Sequence, residues 1–110
     1  MEATQTVARG VVLLRFSGRF DAYQAPTVRR WLSDAELTSS RIVIDLSEVS
    51  FLDSSGLSLL VQQMKACRAA GGDLRLSGLQ PPVRLIFELT RLERTFAIFA
   101  SAPKAVASFR

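Results

Sequence analysis

Residues 42–57, Ile-Val-Ile-Asp-Leu-Ser-Glu-Val-Ser-Phe-Leu-Asp-Ser-Ser-Gly-Leu, constrain the fold more tightly than any other stretch of this chain. Residues 41–46 run almost without polar interruption, as expected of a strand covered on both faces or central in a sheet. A short loop is then expected to lead into Asp53-Ser54-Ser55-Gly56, with a helix beginning around Ser54 or Ser55. Two hydroxyls and a glycine thus fall at a helix N-terminus, where free backbone N–H groups and the positive end of the helix dipole favour an anion. A phosphate attached there would alter the charge shown to a partner, so the segment is a candidate covalent switch.

The remaining elements follow from turn chemistry and apolar spacing. Residues 4–8 and 11–16 flank Arg9-Gly10, a tight-turn pair, and are predicted to form a hairpin. Gly18-Arg19-Phe20-Asp21 is expected to end the second strand. Pro26 suits the first turn of a helix through Leu37, with Val28, Trp31, Leu32 and Ala35 as its buried stripe. The helix after Ser55 should bury Leu57, Leu60, Val61, Met64 and Cys67 or Arg68, and Gly71-Gly72 should end it. Residues 73–77 form a strand with Leu74 and Leu76 on one side. Pro81-Pro82 opens a helix burying Val83, Ile86 and Phe87, followed by a strand over 95–100 and a helix over 102–109. This order implies an α/β fold with a mixed β-sheet: an N-terminal antiparallel hairpin, then right-handed parallel crossovers.

Several function classes are disfavoured by what the chain lacks. Its 110 residues contain no histidine, which removes the usual general base, the usual triad partner and the commonest zinc ligand. Cys67 is the only cysteine, so no intrachain disulfide is expected and a reducing compartment suits the composition. No phosphate-binding glycine loop of the nucleotide-binding types occurs. Asp21, Asp45 and Asp53 lie near strand ends, where aspartates more often cap turns than hold metal. The expectation is therefore a protein that is not an enzyme, with no cofactor and no metal.

The net charge of +4 is unevenly spread: residues 1–60 carry six arginines and seven acids, residues 61–110 eight basic residues and three acids. No more than two basic residues are adjacent, at Arg29-Arg30, and aromatics do not alternate with them, so direct nucleic-acid binding is not expected. The basic half is better suited to meeting an acidic protein partner. No apolar run approaches membrane-spanning length and the first residues lack a signal-peptide pattern, so no membrane insertion is expected and a single cytoplasmic domain over residues 1–110 is predicted.

Taken alone, Asp53-Ser54-Ser55-Gly56 is an ordinary helix cap. In its context it is more. The Gly18-x-x-Asp21 turn before a helix, the apolar strand with Asp45-Leu46, the motif Asp53-Ser54-Ser55-Gly56-Leu57, Gly71-Gly72 before a strand, and the Pro82-Val83-x-x-Ile86-Phe87 helix occur in that order. Together they resemble the STAS domain family, and within it the bacterial anti-sigma factor antagonists (anti-anti-sigma factors), from about Val11 to the C-terminus. The resemblance implies a mixed sheet with helices packed mainly on one face, and a partner-switching role in transcription regulation. The unphosphorylated form would bind an anti-sigma factor that is itself a serine kinase, releasing a sigma factor. Phosphorylation of Ser55, the second hydroxyl of the motif, would end that association, and a PP2C-type phosphatase would restore it. Asp21, Asp53, Ser54 and Gly56 are then the phospho-loop and partner-binding residues. Asp53 is expected to cap the helix, and Gly56 to let an enzyme approach Ser55. Asp21 has a turn-forming reading of equal standing. Two other readings stand beside this one: a non-switching STAS accessory subunit of a transport or multiprotein signalling assembly, and a nucleotide-binding protein using the helix-start anion site.

Overall fold

Arg9 and Gly10 both take left-handed backbone, with φ of 56° and 76°. That is the geometry of a two-residue turn whose twist matches its flanking strands. It closes a hairpin between β1 (Glu2–Ala8) and β2 (Val11–Phe20), antiparallel and in unbroken register from Glu2 opposite Ser17 to Ala8 opposite Val11. A computed structural model describes residues 1–109 of the chain. After β2 the elements are α1 (Ala25–Thr38), β3 (Arg41–Leu52), α2 (Ser54–Ala69), β4 (Asp73–Ser77), α3 (Pro81–Leu89), a 3-10 turn (Leu92–Arg94), β5 (Ile98–Phe99) and α4 (Ala102–Ala107). The five strands lie in the order β1-β2-β3-β4-β5, every pairing after the hairpin being parallel.

Strand parity sorts the side chains into two faces. Val12, Leu14 and Phe16 of β2 join Ile42, Ile44 and Leu46 of β3 and Leu74 and Leu76 of β4 in the main core. Val28, Leu32 and Ala35 from α1, Leu60, Met64 and Cys67 from α2, and Val83 and Phe87 from α3 close that face. On the other face Val11 and Val43 meet Ala105 of α4. Three helices therefore cover one side and one short helix the other, and β3 is buried from both, as its composition requires. Burial pushes the Cys67 thiol above its ordinary value, which keeps it neutral and unreactive.

Three expectations about segment boundaries are corrected. Residues 18–21 do not break β2, and residues 47–52 are not a loop: β2 and β3 continue together as far as Phe20 opposite Leu52. Register shifts between Arg15 and Ser17 and between Gly18 and Arg19 make this possible, Gly18 adopting a φ of 109° that side-chain-bearing residues rarely reach. The last strand is only two residues long, because Phe96 leaves the ladder to pack edge-to-face on Phe87 at 5.6 Å. Of the stripe expected on α2, Leu60, Met64 and Cys67 are buried, while Leu57 and Val61 are half-buried and pack against the core's edge; Gly56, Leu59 and Gln63 are buried besides. The C-terminus of α2 ends as expected, with Gly71 N–H donating to Arg68 O at 3.1 Å and Gly72 N–H to Cys67 O at 2.8 Å.

Asp45 marks the point where β3 passes beyond β4. The residue is 5% exposed, and its carboxylate takes a hydrogen bond from Arg15 Nε at 2.9 Å and another from Ser47 N–H at 2.9 Å. Burial by itself pushes this carboxyl up, but the Ser47 hydrogen bonds and the Arg15 guanidinium outweigh it and hold Asp45 below its ordinary 3.8. A carboxyl depressed in the folded state contributes stability above its unfolded pKa, and that contribution is lost as pH falls through the folded value. Arg15 is half exposed, so solvent screens its share. Asp45→Asn should therefore cost about 1–2 kcal/mol near neutral pH. In urea titrations the gap between variant and parent should narrow once the pH is taken well below 4, as the parent loses its advantage.

Candidate functional site

The end of β3 turns into α2 through a single residue. Asp53 is extended, with φ −103° and ψ −176°, and its side chain caps the helix: Oδ1 accepts from Ser55 N–H at 2.9 Å and from Gly56 N–H at 3.1 Å. Its Oδ2 accepts from Ala22 N–H at 3.1 Å, and its own N–H donates to Phe20 O at 3.3 Å. One residue thus joins three segments: the end of β2, the turn before α1, and the first turn of α2. The cap belongs to Asp53, as expected, and Ser54 and Ser55 are the first two helical residues rather than caps.

This arrangement corrects one premise drawn from the sequence. The N–H groups of Ser55 and Gly56 are not free for an external anion, because the Asp53 carboxylate already fills that position. A nucleotide phosphate would have to displace it, which removes the ground for reading the helix start as a ready nucleotide site. A phosphate on Ser55 would likewise stand beside an existing negative charge. Its effect would lie on the surface and not in a new set of backbone bonds.

Ser54 is exposed, Ser55 is half-buried and Gly56 is buried. Gly56 has a packing role that the sequence did not reveal. A Cβ placed there would lie 2.6 Å from Leu52 Cδ1 and 2.9 Å from Phe20 Cδ1. The sheet beneath the helix is by itself enough to demand the missing side chain. Because α2 starts with Gly56 facing inward, Ser55 next to it faces the rim.

Asp21 lies in the turn that Asp53 holds. Its Oδ1 accepts from Tyr23 N–H at 3.1 Å and from Gln24 N–H at 3.3 Å, and Arg19 Nε stands 3.9 Å from Oδ2. That is the turn-forming role, and the Ala22–Asp53 bond brings the turn against the helix start. Asp45, on the same strand as Asp53, is engaged by Arg15 and Ser47 and does not join Asp21 and Asp53.

Two features of the site were missed in the sequence. Tyr23 projects from the turn, 93% exposed, and no periodic pattern marks it. A groove of about 500 Å³ runs from Ser54 along α2, with Leu57, Val61 and Leu92 as apolar lining and Lys65 and Thr90 among its polar residues. Leu57 and Val61 were expected in the core; they pack against its edge and leave one side to the groove, which helical spacing does not mark. Among the described residues no helix is long and apolar enough to cross a membrane.

Comparison with known proteins gives this geometry a setting. The family model described as the STAS domain matches residues 2–105. The anti-sigma-B factor antagonist of Listeria monocytogenes is 38% identical over 77 residues, 69% of this chain and 68% of the relative. The anti-sigma-B factor antagonist of Bacillus subtilis is 30% identical over 95 residues, covering 86% and 87%. Among solved structures, the anti-sigma factor antagonist SpoIIAA in its unphosphorylated form superposes with a TM-score of 0.82 at 26% identity, covering 96% of this chain and 93% of that one. The phosphorylated form of the Bacillus SpoIIAA gives a TM-score of 0.77 at 25% identity, covering 99% and 100%.

Two substitutions separate the packing of this corner from its capping. Gly56→Ala should destabilise the fold by about 1–3 kcal/mol, because the added methyl overpacks Phe20 and Leu52 while leaving both serine hydroxyls in place. Asp53→Ala should cost about 1–2 kcal/mol and also expose the Ala22 amide, which faster hydrogen exchange at that amide than in the parent would report.

Proposed function

The chain belongs to the STAS domain family, and from that membership we propose that it is an anti-sigma factor antagonist switched by phosphorylation of Ser55. The observation that carries the reading is a half-exposed hydroxyl in the first turn of α2, on a corner fixed from below by Gly56 and from the side by Asp53. In the unphosphorylated state this corner, with the 21–24 turn and Tyr23 beside it, offers a surface to an anti-sigma factor serine kinase. Binding there would release the sigma factor that the kinase otherwise holds.

The switching step follows from the chemistry of the hydroxyl. Ser55 Oγ attacks the terminal phosphorus of ATP held by the kinase, an O–P bond forms, the bond to the ADP leaving oxygen breaks, and the serine proton passes to a base of the kinase. The product carries roughly −1.5 to −2 charges at neutral pH. Asp53 stands within its own helix turn of this dianion, and Asp21 shapes the adjoining turn, so the negative charge of the corner rises sharply. The partner meets bulk and charge where it had met a hydroxyl, and the complex separates. Core packing does not change, since the inward contact of this turn is made by Gly56. A metal-dependent phosphatase of the PP2C type would hydrolyse the phosphoserine and restore binding.

Incubation with the cognate kinase and ATP should place a single phosphate on Ser55 and abolish the complex on a sizing column. Ser55→Ala should bind the kinase as the parent does and stay bound when ATP is added, while Ser54→Ala should still be released. Release of Ser55→Ala by ATP would show that the acceptor is another residue. Co-purification with a transporter and no kinase would instead support the accessory-subunit reading.

A further inference from the structure

We infer that the free edge of β1 pairs antiparallel with β1 of a second copy of this chain, about a twofold axis through Gln5. β1 hydrogen-bonds to β2 on one side only, and it is the first strand of the sheet. On its other side the alternate residues Ala3, Gln5 and Val7 present their main-chain N–H and C=O groups. Proteins ordinarily protect such an edge with proline, a bulge, a mid-strand charge, extreme shortness or a covering element. Among the described residues β1 has none of these: its register is unbroken, it lacks proline, and its one charged residue, Glu2, stands at its end. The opposite edge of the sheet is protected, since β5 is two residues long and leads directly into α4.

The occupant is set by the strand's self-complementarity. With Gln5 opposite the partner's Gln5, Ala3 faces the partner's Val7 on the side of the sheet that carries Val12, Leu14 and Phe16. Val7, 54% exposed in the single copy, thereby gains an apolar neighbour. On the other side Thr4 faces the partner's Thr6, a favourable cross-strand pair. Charge agrees with shape. Glu2 comes opposite the partner's Ala8 and beside the partner's Arg9, and the twofold axis makes this match twice. Neither residue belongs to the ion pairs made by Arg15, Arg19, Arg68, Arg75 and Arg94. β1 is exposed along its length apart from half-buried Ala3, so two copies can meet edge to edge before their helices touch. The product is one continuous ten-stranded sheet, and it leaves the Ser55 corner of each copy, beyond β2, uncovered.

Engineered thiols test both association and register. Cys67 is buried, so a cysteine introduced in β1 is the reactive one. Gln5→Cys places two α-carbons about 4.5–5.5 Å apart across the axis, within the roughly 4.4–6.8 Å that a disulfide spans. Mild oxidation should convert this variant to a covalent dimer. Ala3→Cys alone should not cross-link, its two copies being ~13 Å apart along the strands, whereas an equimolar mixture of Ala3→Cys and Val7→Cys should. Sedimentation of the parent should show mass rising to twice the monomer value with concentration. Glu2→Arg should weaken that association about five-fold, and adding Arg9→Glu should restore it. A parent that stays monomeric across the series, or an Ala3→Cys variant that cross-links as fast as Gln5→Cys, would overturn the inference.

Discussion

Asp53 carries the corner where the sheet hands over to the second helix. A helix start leaves backbone N–H groups without partners, and an aspartate just before it is a common remedy. Asp53 uses its second oxygen for more than that, reaching across to Ala22 and so fixing the turn before α1 relative to the start of α2. Beneath it, the contact of Gly56 with Phe20 and Leu52 brings the helix axis close to the sheet. The two constraints act on different atoms of the same turn. One fixes where the polypeptide runs and the other how close it lies, and Ser55 inherits its position from both.

Because Asp53 supplies the anion that the helix start requires, the corner is electrically complete before any modification. This differs from the glycine-rich loops that hold phosphates, where the backbone donors wait for the ligand. Under the proposed function, a phosphate on Ser55 would be an addition to a satisfied structure. That is what a switch needs if it is to change binding without changing the fold. The depressed Asp45 carboxyl, farther down the same strand, is a separate device, joining β2 to β3 where β4 ends.

Much of this was legible in the residues. Arg9-Gly10 marked its hairpin because glycine takes left-handed backbone freely, and the apolar density of residues 42–46 marked a central strand. The Asp-Ser-Ser-Gly helix start was placed within one residue, since capping chemistry is local. What failed was not local. Residues 47–52 look polar enough for a loop, yet they pair with the end of β2 because Gly18 bends that strand to follow them. Leu57 and Val61 fit a helical stripe, but the buried line of α2 is set by Gly56, whose contact partners lie on two other elements. Helical spacing alone does not say which of two overlapping faces turns inward. Tyr23 could not be read at all, because an exposed aromatic in a turn obeys no periodicity.

β3 is twelve residues long and β4 only five, with β4 pairing to residues 41–45 alone. Past Asp45 the strand overhangs, laddered to β2 on one flank and on the other touched by Gln80, whose Nε2 donates to Ser47 O at 2.8 Å. The hydroxyl-bearing corner thus rides on a cantilever, clamped at its root by the full width of the sheet and jointed along one side at Gly18. Because Phe20, Val49 and Leu52 of that two-ribbon arm are themselves buried in the main core, a load at the tip would pass into the packed aliphatic residues beneath it.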